Sequence, residues 1–393
     1  MPAMEMFRNS STAHGDIPQC NPAAVVSDLR LELDAAIARV LTKGPYILGA
    51  EVQLFEQEWA AWCGVNDAIG CASGTDGLEL ILRSLDLKSG ARVLAPSHTA
   101  VATIAAIMRA GQRPMLADVD SKSYGLDPAS VSRCLEQAID DGDPVQAVIA
   151  VHLYGHPVDL DALLALCSQY DVPLIEDCSQ AHGAKWRNKR VGGFGIAAAF
   201  SLYPTKNLGA LGDAGVINCC DIARTARLRR LRQYGWEQAA ISEEPGINSR
   251  LDPLQAAILR VKLKHLDAHN KHRKLVAGIY QELLADCPEI QLPLVMDEHI
   301  DPVYHQFVVQ VPAAKRDLLR ARLSDLGIGT LIHYPQAAHQ MPAYAAKSWV
   351  SLDPNGLNQT EALLPRIISL PMGPHLKPEQ VVHVAEKLLQ AIK

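Results

Sequence analysis

Apolar residues between Leu29 and Leu41 recur as Leu31, Leu33, Ala36, Ile37, Val40 and Leu41, the spacing of one helix face, and Gly44-Pro45 closes the segment. A second amphipathic helix is predicted from about Glu51 to Cys63, with Val52, Phe55, Trp59 and Trp62 on one side. From Asn66 onward the rhythm changes. Short apolar runs at 68–72, 92–95, 114–118, 147–151 and 173–176 alternate with helical stretches. Runs that short, without polar alternation, read as strands covered on both faces, so the expected fold is α/β, a mostly parallel sheet between layers of helices. A strand over 216–219 then gives way to an arginine-rich helix over 222–233. Its Leu228 and Leu231 form an inner face, and its arginines are expected in solvent. A long helical pattern from Asp252 to about Leu284 follows and carries the expected domain boundary. Beyond it, 303–311, 313–326, 329–332 and a closing helix from Lys377 predict a small α+β domain. The pattern thus divides the chain into a disordered leader over 1–16, a large domain over 17–260, and a connecting helix with a small domain over 261–393.

Composition narrows the function classes. A chain of 393 residues exceeds what one core usually covers, which agrees with two domains. Its 37 basic and 43 acidic residues leave a formal charge of −6 with no long run of either sign, so nucleic acid is not an expected partner. No apolar stretch approaches the roughly 18 residues of a membrane span, and the longest, over 99–110, is broken by Arg109. The first residues lack the apolar core of a secretory signal, so a cytoplasmic protein is expected. Nine cysteines without a C-x-x-C spacing, two of them adjacent at Cys219 and Cys220, point to reduced thiols.

The candidate chemistry centres on F-S-L-Y-P-T-K-N-L-G-A-L-G-D-A-G, from Phe200 to Gly215, where Lys206 stands alone among small, apolar and hydroxyl residues. An ammonium that loses hydration drops in pKa from about 10.4 towards neutrality, the state that attacks a carbonyl to form a Schiff base. The alternative is a solvated lysine in a surface loop. Ser201 emerges just past the apolar run 195–200. Upstream, Ser73-Gly74-Thr75-Asp76-Gly77 joins a buried strand to a helix. Backbone N–H groups there, with the threonine hydroxyl, make an anion site suited to phosphate, or else an ordinary N-cap. Asp177 ends a buried strand with no basic residue nearby in sequence, so a protonated ring nitrogen would satisfy it, with Gln180 reaching a second group of the same ring. Otherwise Asp177 caps a turn. Asn248 and Arg250 precede Pro253 on irregular backbone, the usual place for binding residues. His333 and Tyr334 leave a short strand where they could close a pocket. His152 and His156, spaced H-x-x-x-H at a strand end, are not expected to hold a metal. A phosphate cradle, a buried aspartate and a Schiff-base lysine are the parts that pyridoxal phosphate requires.

With these motifs the sequence resembles the DegT/DnrJ/EryC1/StrS aminotransferases, fold-type I pyridoxal phosphate enzymes that aminate nucleotide-linked keto sugars. The resemblance runs from about Ile17 to the C-terminus through Y-I-L-G-A-E-V at 46–52, S-G-T-D at 73–76, E-D-C-S-Q-A-H-G-A at 176–184, S-L-Y-P-T-K-N-L-G-A-L-G-D at 201–213, N-S-R-L-D-P-L-Q-A-A at 248–257 and I-H-Y-P at 332–335. It implies that Lys206 holds the cofactor aldehyde and moves the proton, that Asp177 pairs with the ring nitrogen and that Gln180 contacts the ring hydroxyl. It also implies that Gly74, Thr75 and Ser201 hold the phosphate. Asn248 and Arg250 would come from the second subunit of a homodimer with shared active sites, and His333 and Tyr334 would line the sugar site. The implied amino donor is L-glutamate. One departure stands out: where such enzymes place an aromatic residue to stack on the ring, this chain has Ala100, so His98 is the expected cover. A dehydratase of the same fold would carry histidine at the position of Lys206. An aminocyclitol ketone as acceptor, and a regulatory protein that binds the cofactor without catalysis, share these motifs.

Overall fold

The computed structural model describes residues 16–238, 240–293, 299–345 and 347–393, so the expected leader lies outside the described residues except for Asp16. Eight strands form the principal sheet, in the order Asp67–Cys71, Gly215–Cys219, Ala197–Ser201, Leu174–Asp177, Val145–Val151, Arg92–Pro96, Arg113–Ala117 and Ser351–Leu352. Neighbouring strands run parallel except at Gly215–Cys219, which is antiparallel to both of its neighbours. Successive side chains point to opposite faces of a sheet, and here both faces are covered. Leu94, Val148 and Ala150 pack with Phe55 and Trp59 on one side, while Val93, Ala95 and Ile149 pack with Leu78 and Ile104 on the other. That two-sided burial is why these strands read as continuous apolar runs.

The arginine-rich helix, Ile222–Leu231, buries Leu228 and Leu231 as its pattern predicts, but its arginines are not a solvent face. It lies against the sheet edge at Asp67–Cys71, where Arg229 donates to the Ala68 carbonyl at 3.0 Å and Arg232, just past the helix, to the Gly70 carbonyl at 2.7 Å. Both also pair with the buried Glu56, at 2.7 and 2.6 Å. Unpaired edge carbonyls and a buried carboxylate both need donors, and that demand overrides the solvent preference of arginine.

The long helical pattern is two helices, Pro253–Leu263 and Leu266–Leu284, separated at Lys264 and His265. Both intervening residues keep right-handed backbone angles, so the apolar rhythm passes through the break without a glycine or proline to mark it. Beyond it, Phe307–Gln310 pairs antiparallel with Ile367–Leu370, and Val276, Tyr280, Leu319 and Leu388 of the surrounding helices complete a second core. Ile17, expected in the large domain, packs into this second core instead. Its N–H donates to Gly327 and its carbonyl accepts from Gly329, at 2.8 and 2.9 Å. The strand expected over 329–332 is reduced to a single bridge between Leu331 and Ser369. Among the described residues no helix is long and apolar enough to cross a membrane.

Candidate active site

Past the end of the Ala197–Ser201 strand the chain folds back on itself: Lys206 N–H donates to the Tyr203 carbonyl at 2.9 Å and Ala210 N–H to Leu202 at 2.8 Å. Gly209 makes the loop possible, because a Cβ there would stand 2.4 Å from the Pro204 carbonyl oxygen. The loop delivers Lys206 to a cavity also lined by Gly74, Thr75, Thr99, Ala100, Asp177, Gln180 and Ser201. Burial pushes the Lys206 amine down to about 8, and the Asp177 carboxylate partly opposes that fall. The expected solvated alternative for this lysine is therefore not what the fold builds.

Asp177 ends its strand between two parallel neighbours, opposite Val151 and Ala199. Its Oδ2 accepts from the Thr103 hydroxyl at 2.8 Å and its Oδ1 from Ser179 N–H at 3.1 Å, which leaves further acceptor capacity for a donor in the cavity. The adjacent Glu176 points to the other face and is saturated. It accepts from the N–H groups of Gly192, Phe194 and Gly195, each at 2.8 Å, and from His152 Nε2 at 3.1 Å. Despite the cost of burial, His152 and these N–H groups hold its carboxyl below the ordinary range. Cys178 approaches His152 and Glu176 to within 4.8 Å, but burial raises its thiol well above normal. Such a cluster keeps a proton on sulfur and spends its carboxylate on backbone, a poor donor set for a metal. His156 turns to the Pro157 carbonyl at 2.9 Å.

Gln180 is fixed at both ends of its amide: Oε1 accepts from Tyr154 N–H at 2.6 Å and Nε2 donates to the Tyr334 hydroxyl at 3.0 Å. The helix Gly74–Arg83 opens on the cavity, with the Ser73 hydroxyl accepting from Asp76 N–H at 3.1 Å. At Gly74 a Cβ would come within 2.8 Å of Ser201 Cβ and 3.0 Å of the Ser179 hydroxyl. Glycine thus keeps open a cradle of helix N–H groups beside the hydroxyls of Thr75, Ser179 and Ser201, the donor set of a phosphate site. With an acid for a ring nitrogen at one end and a depressed amine at its wall, the cavity fits pyridoxal phosphate.

Other expected residues fall elsewhere. His98 does not line this cavity. Its ring is fully buried behind the wall, where Nε2 meets the Tyr154 hydroxyl at 2.8 Å, because the backbone turns Thr99 and Ala100 inward instead. Tyr154 in turn donates to the His333 carbonyl. Burial pushes His333 down to about 4, and its Nδ1 meets the Ser369 hydroxyl at 2.8 Å. Tyr334, raised to about 12 by burial, reaches the site through Gln180. Asn248 is exposed and Arg250 lies over the Tyr234 ring at 5.7 Å, so neither reaches the cavity of its own chain. Sequence reasoning assigned no role to Thr103, Ser179 or Tyr154. Ser179 lies inside the 176–184 motif and Thr103 inside the apolar stretch over 99–110, whereas nothing local marks Tyr154, whose backbone has a φ of 59°.

Residues 28–389 match the family model described as the DegT/DnrJ/EryC1/StrS aminotransferase family. The chain is 44% identical over 375 residues to the erythromycin biosynthesis sensory transduction protein EryC1 of Saccharopolyspora erythraea, covering 95% of this chain and 99% of that one. It is 42% identical over 371 residues to dTDP-3-amino-3,4,6-trideoxy-alpha-D-glucose transaminase of Streptomyces venezuelae, covering 94% of each. Among solved structures, S. venezuelae DesV in complex with a ketimine intermediate superposes with a TM-score of 0.90 at 41% identity, covering 96% of this chain and 99% of that one.

Proposed function

Because the chain belongs to the DegT/DnrJ/EryC1/StrS aminotransferase family, we propose that it moves the amino group of L-glutamate to the keto carbon of a nucleotide-linked sugar, forming an amino sugar. The family is pyridoxal phosphate-dependent, and relatives with 42%, 37% and 40% identity are named as transaminases of dTDP- or UDP-linked sugars. The observation that carries the reading is the enclosed Lys206 amine, held at about 8 in one cavity wall with Asp177.

When bound, pyridoxal phosphate supplies an electron sink next to the reacting carbon. The chain's own residues do the rest. Helix N–H groups at Gly74 and Thr75, with the Ser201 hydroxyl, would hold the phosphate. Asp177 would keep the ring nitrogen protonated, steadied by Thr103 and Ser179. Gln180, clamped by Tyr154 and Tyr334, would orient the ring hydroxyl. Lys206 Nζ would hold the aldehyde carbon at rest and, once displaced, take the α-proton of glutamate and return a proton to the sugar carbon. Glutamate leaves as 2-oxoglutarate, and the keto sugar reacts in the opposite sense. His333 and Tyr334 would flank the sugar.

A cytoplasmic homodimer belongs to the same proposal. Tyr203 and Leu211, at the two ends of the lysine loop, are 51% and 41% exposed, an apolar surface suited to a second copy whose Asn248 and Arg250 would complete the site. All nine cysteines are free, as in a reducing compartment. Glutamate offered with dTDP-, UDP- and GDP-linked keto sugars should give an aminated product by mass. Borohydride reduction of the loaded protein should place the adduct on Lys206, and an adduct on any other peptide would sink the assignment.

A further inference from the structure

Behind the lysine loop lies a second, smaller cavity, lined among others by Asn21, Asn207, Lys262, His269, Arg273 and His375. Lys262 and Arg273 are each only 6% exposed. Lys262 Nζ donates to the Gly209 carbonyl, and Arg273 makes two long contacts to the Tyr304 and His305 carbonyls, at 3.3 and 3.4 Å. Arg273 Nε is buried without a hydrogen-bond partner. Neither cation has a carboxylate partner among the described residues. Burial lowers Arg273 to about 10 and Lys262 to about 8, so both remain charged at neutral pH. The neighbouring His269 is pushed down by burial and then by the charges of His265, Arg273 and Lys262, against a smaller opposing pull from Asp28, so its neutral form is favoured and adds no third cation. Two enclosed cations that line one cavity without a counter-charge are strongly disfavoured, and a buried donor left unpaired adds to the demand for an acceptor.

We infer that this rear cavity binds a monovalent anion of chloride size between Arg273 and Lys262, on the side of the loop away from Asp177. Its volume of about 30 Å³ has room for one or two water-sized particles, which admits a halide. The ion would neutralise the base of the lysine loop without entering the catalytic cavity. The inference does not rest on the aminotransferase reading.

The test uses the cofactor-loaded protein at constant ionic strength, with sodium chloride or bromide exchanged for sodium gluconate. Halide should raise the melting temperature saturably, by roughly 2 °C or more, and bromide should give an anomalous diffraction peak beside Arg273. Asn21→Asp places a carboxylate on the same cavity wall, and aspartate caps the helix that follows as well as asparagine does. This variant should melt higher than wild type in gluconate and lose the halide response. Equal melting in halide and gluconate, a retained response in Asn21→Asp, or a bromide map without density in this cavity would each overturn the inference. Should Asn21→Asp not fold, the wild-type bromide map decides alone.

Discussion

The two hollows that meet at Lys206 treat charge in opposite ways. In front, a carboxylate with spare acceptor capacity faces a depressed amine and a ring of hydroxyls. Behind, two enclosed cations face amides and imidazoles. The front is built to receive a protonated nitrogen and a phosphate, the rear a small negative ion. A similar contrast runs along one strand, where Glu176 and Asp177 are both buried. Glu176 has filled its acceptor sites with backbone N–H groups and His152, and Asp177 has not. Saturation marks a carboxylate that holds the fold, and spare capacity marks one that meets a ligand.

Substitutions on each side sharpen that contrast. Lys206→Ala should reduce turnover by ~10⁴-fold or more, read as amino sugar formed, because it removes both the covalent anchor and the proton carrier. Asp177→Asn should lower kcat by roughly 10²–10³-fold with little change in melting temperature. Glu176→Gln should do the reverse, costing about 3–5 kcal/mol of stability in denaturant titration, since its donors lose a buried charge. If both strand variants behaved alike, the distinction between saturated and spare carboxylates would fail. Thr103→Val removes one hydrogen bond to Asp177 and should lower kcat by roughly 10-fold, with KM for glutamate little changed.

The smallest effect is a matter of pH. Lys206 sits at about 8 in the folded chain, below its ordinary 10.5. Below about 8 the buried amine is charged and carries its full penalty. Between 8 and 10.5 the unfolded chain binds more protons than the folded one, so stability rises with pH. Without cofactor, Lys206→Met should therefore be more stable than wild type at pH 7, and that margin should shrink by ~1 kcal/mol from pH 8 to 9. Buried thiols such as Cys63 and Cys71, raised to about 12, act in the opposite sense but cancel in the comparison. A margin independent of pH would mean that the amine is not depressed.

Much of the sheet and the front cavity was legible in the sequence, because each part is written locally. Two-sided burial leaves unbroken apolar runs, a cradle needs Gly74, and a lysine without charged neighbours at 206 announces its burial. What was hidden depends on contacts between distant segments. Lys262 and Arg273 occupy helical positions where such residues ordinarily face water, and only the fold shows residues lining the same cavity from 20–25 and 372–375. The arginines of Ile222–Leu231 were misread as solvated for the same reason, since Glu56 lies far away in sequence. His98 fits no local rule at all. Its burial follows from Tyr154, whose ring position no motif announces.

The strand-like contacts of Ile17 with Gly327 and Gly329, and of Gln19 with Met372, join the beginning of the described chain to segments translated more than three hundred residues later. During synthesis that early stretch has no docking place until those later segments have been made. Most strands of the large sheet precede those segments in synthesis, so the rear wall of the lysine loop, built from 20–25 and 372–375, closes later than the strands that carry Asp177 and lead into Lys206.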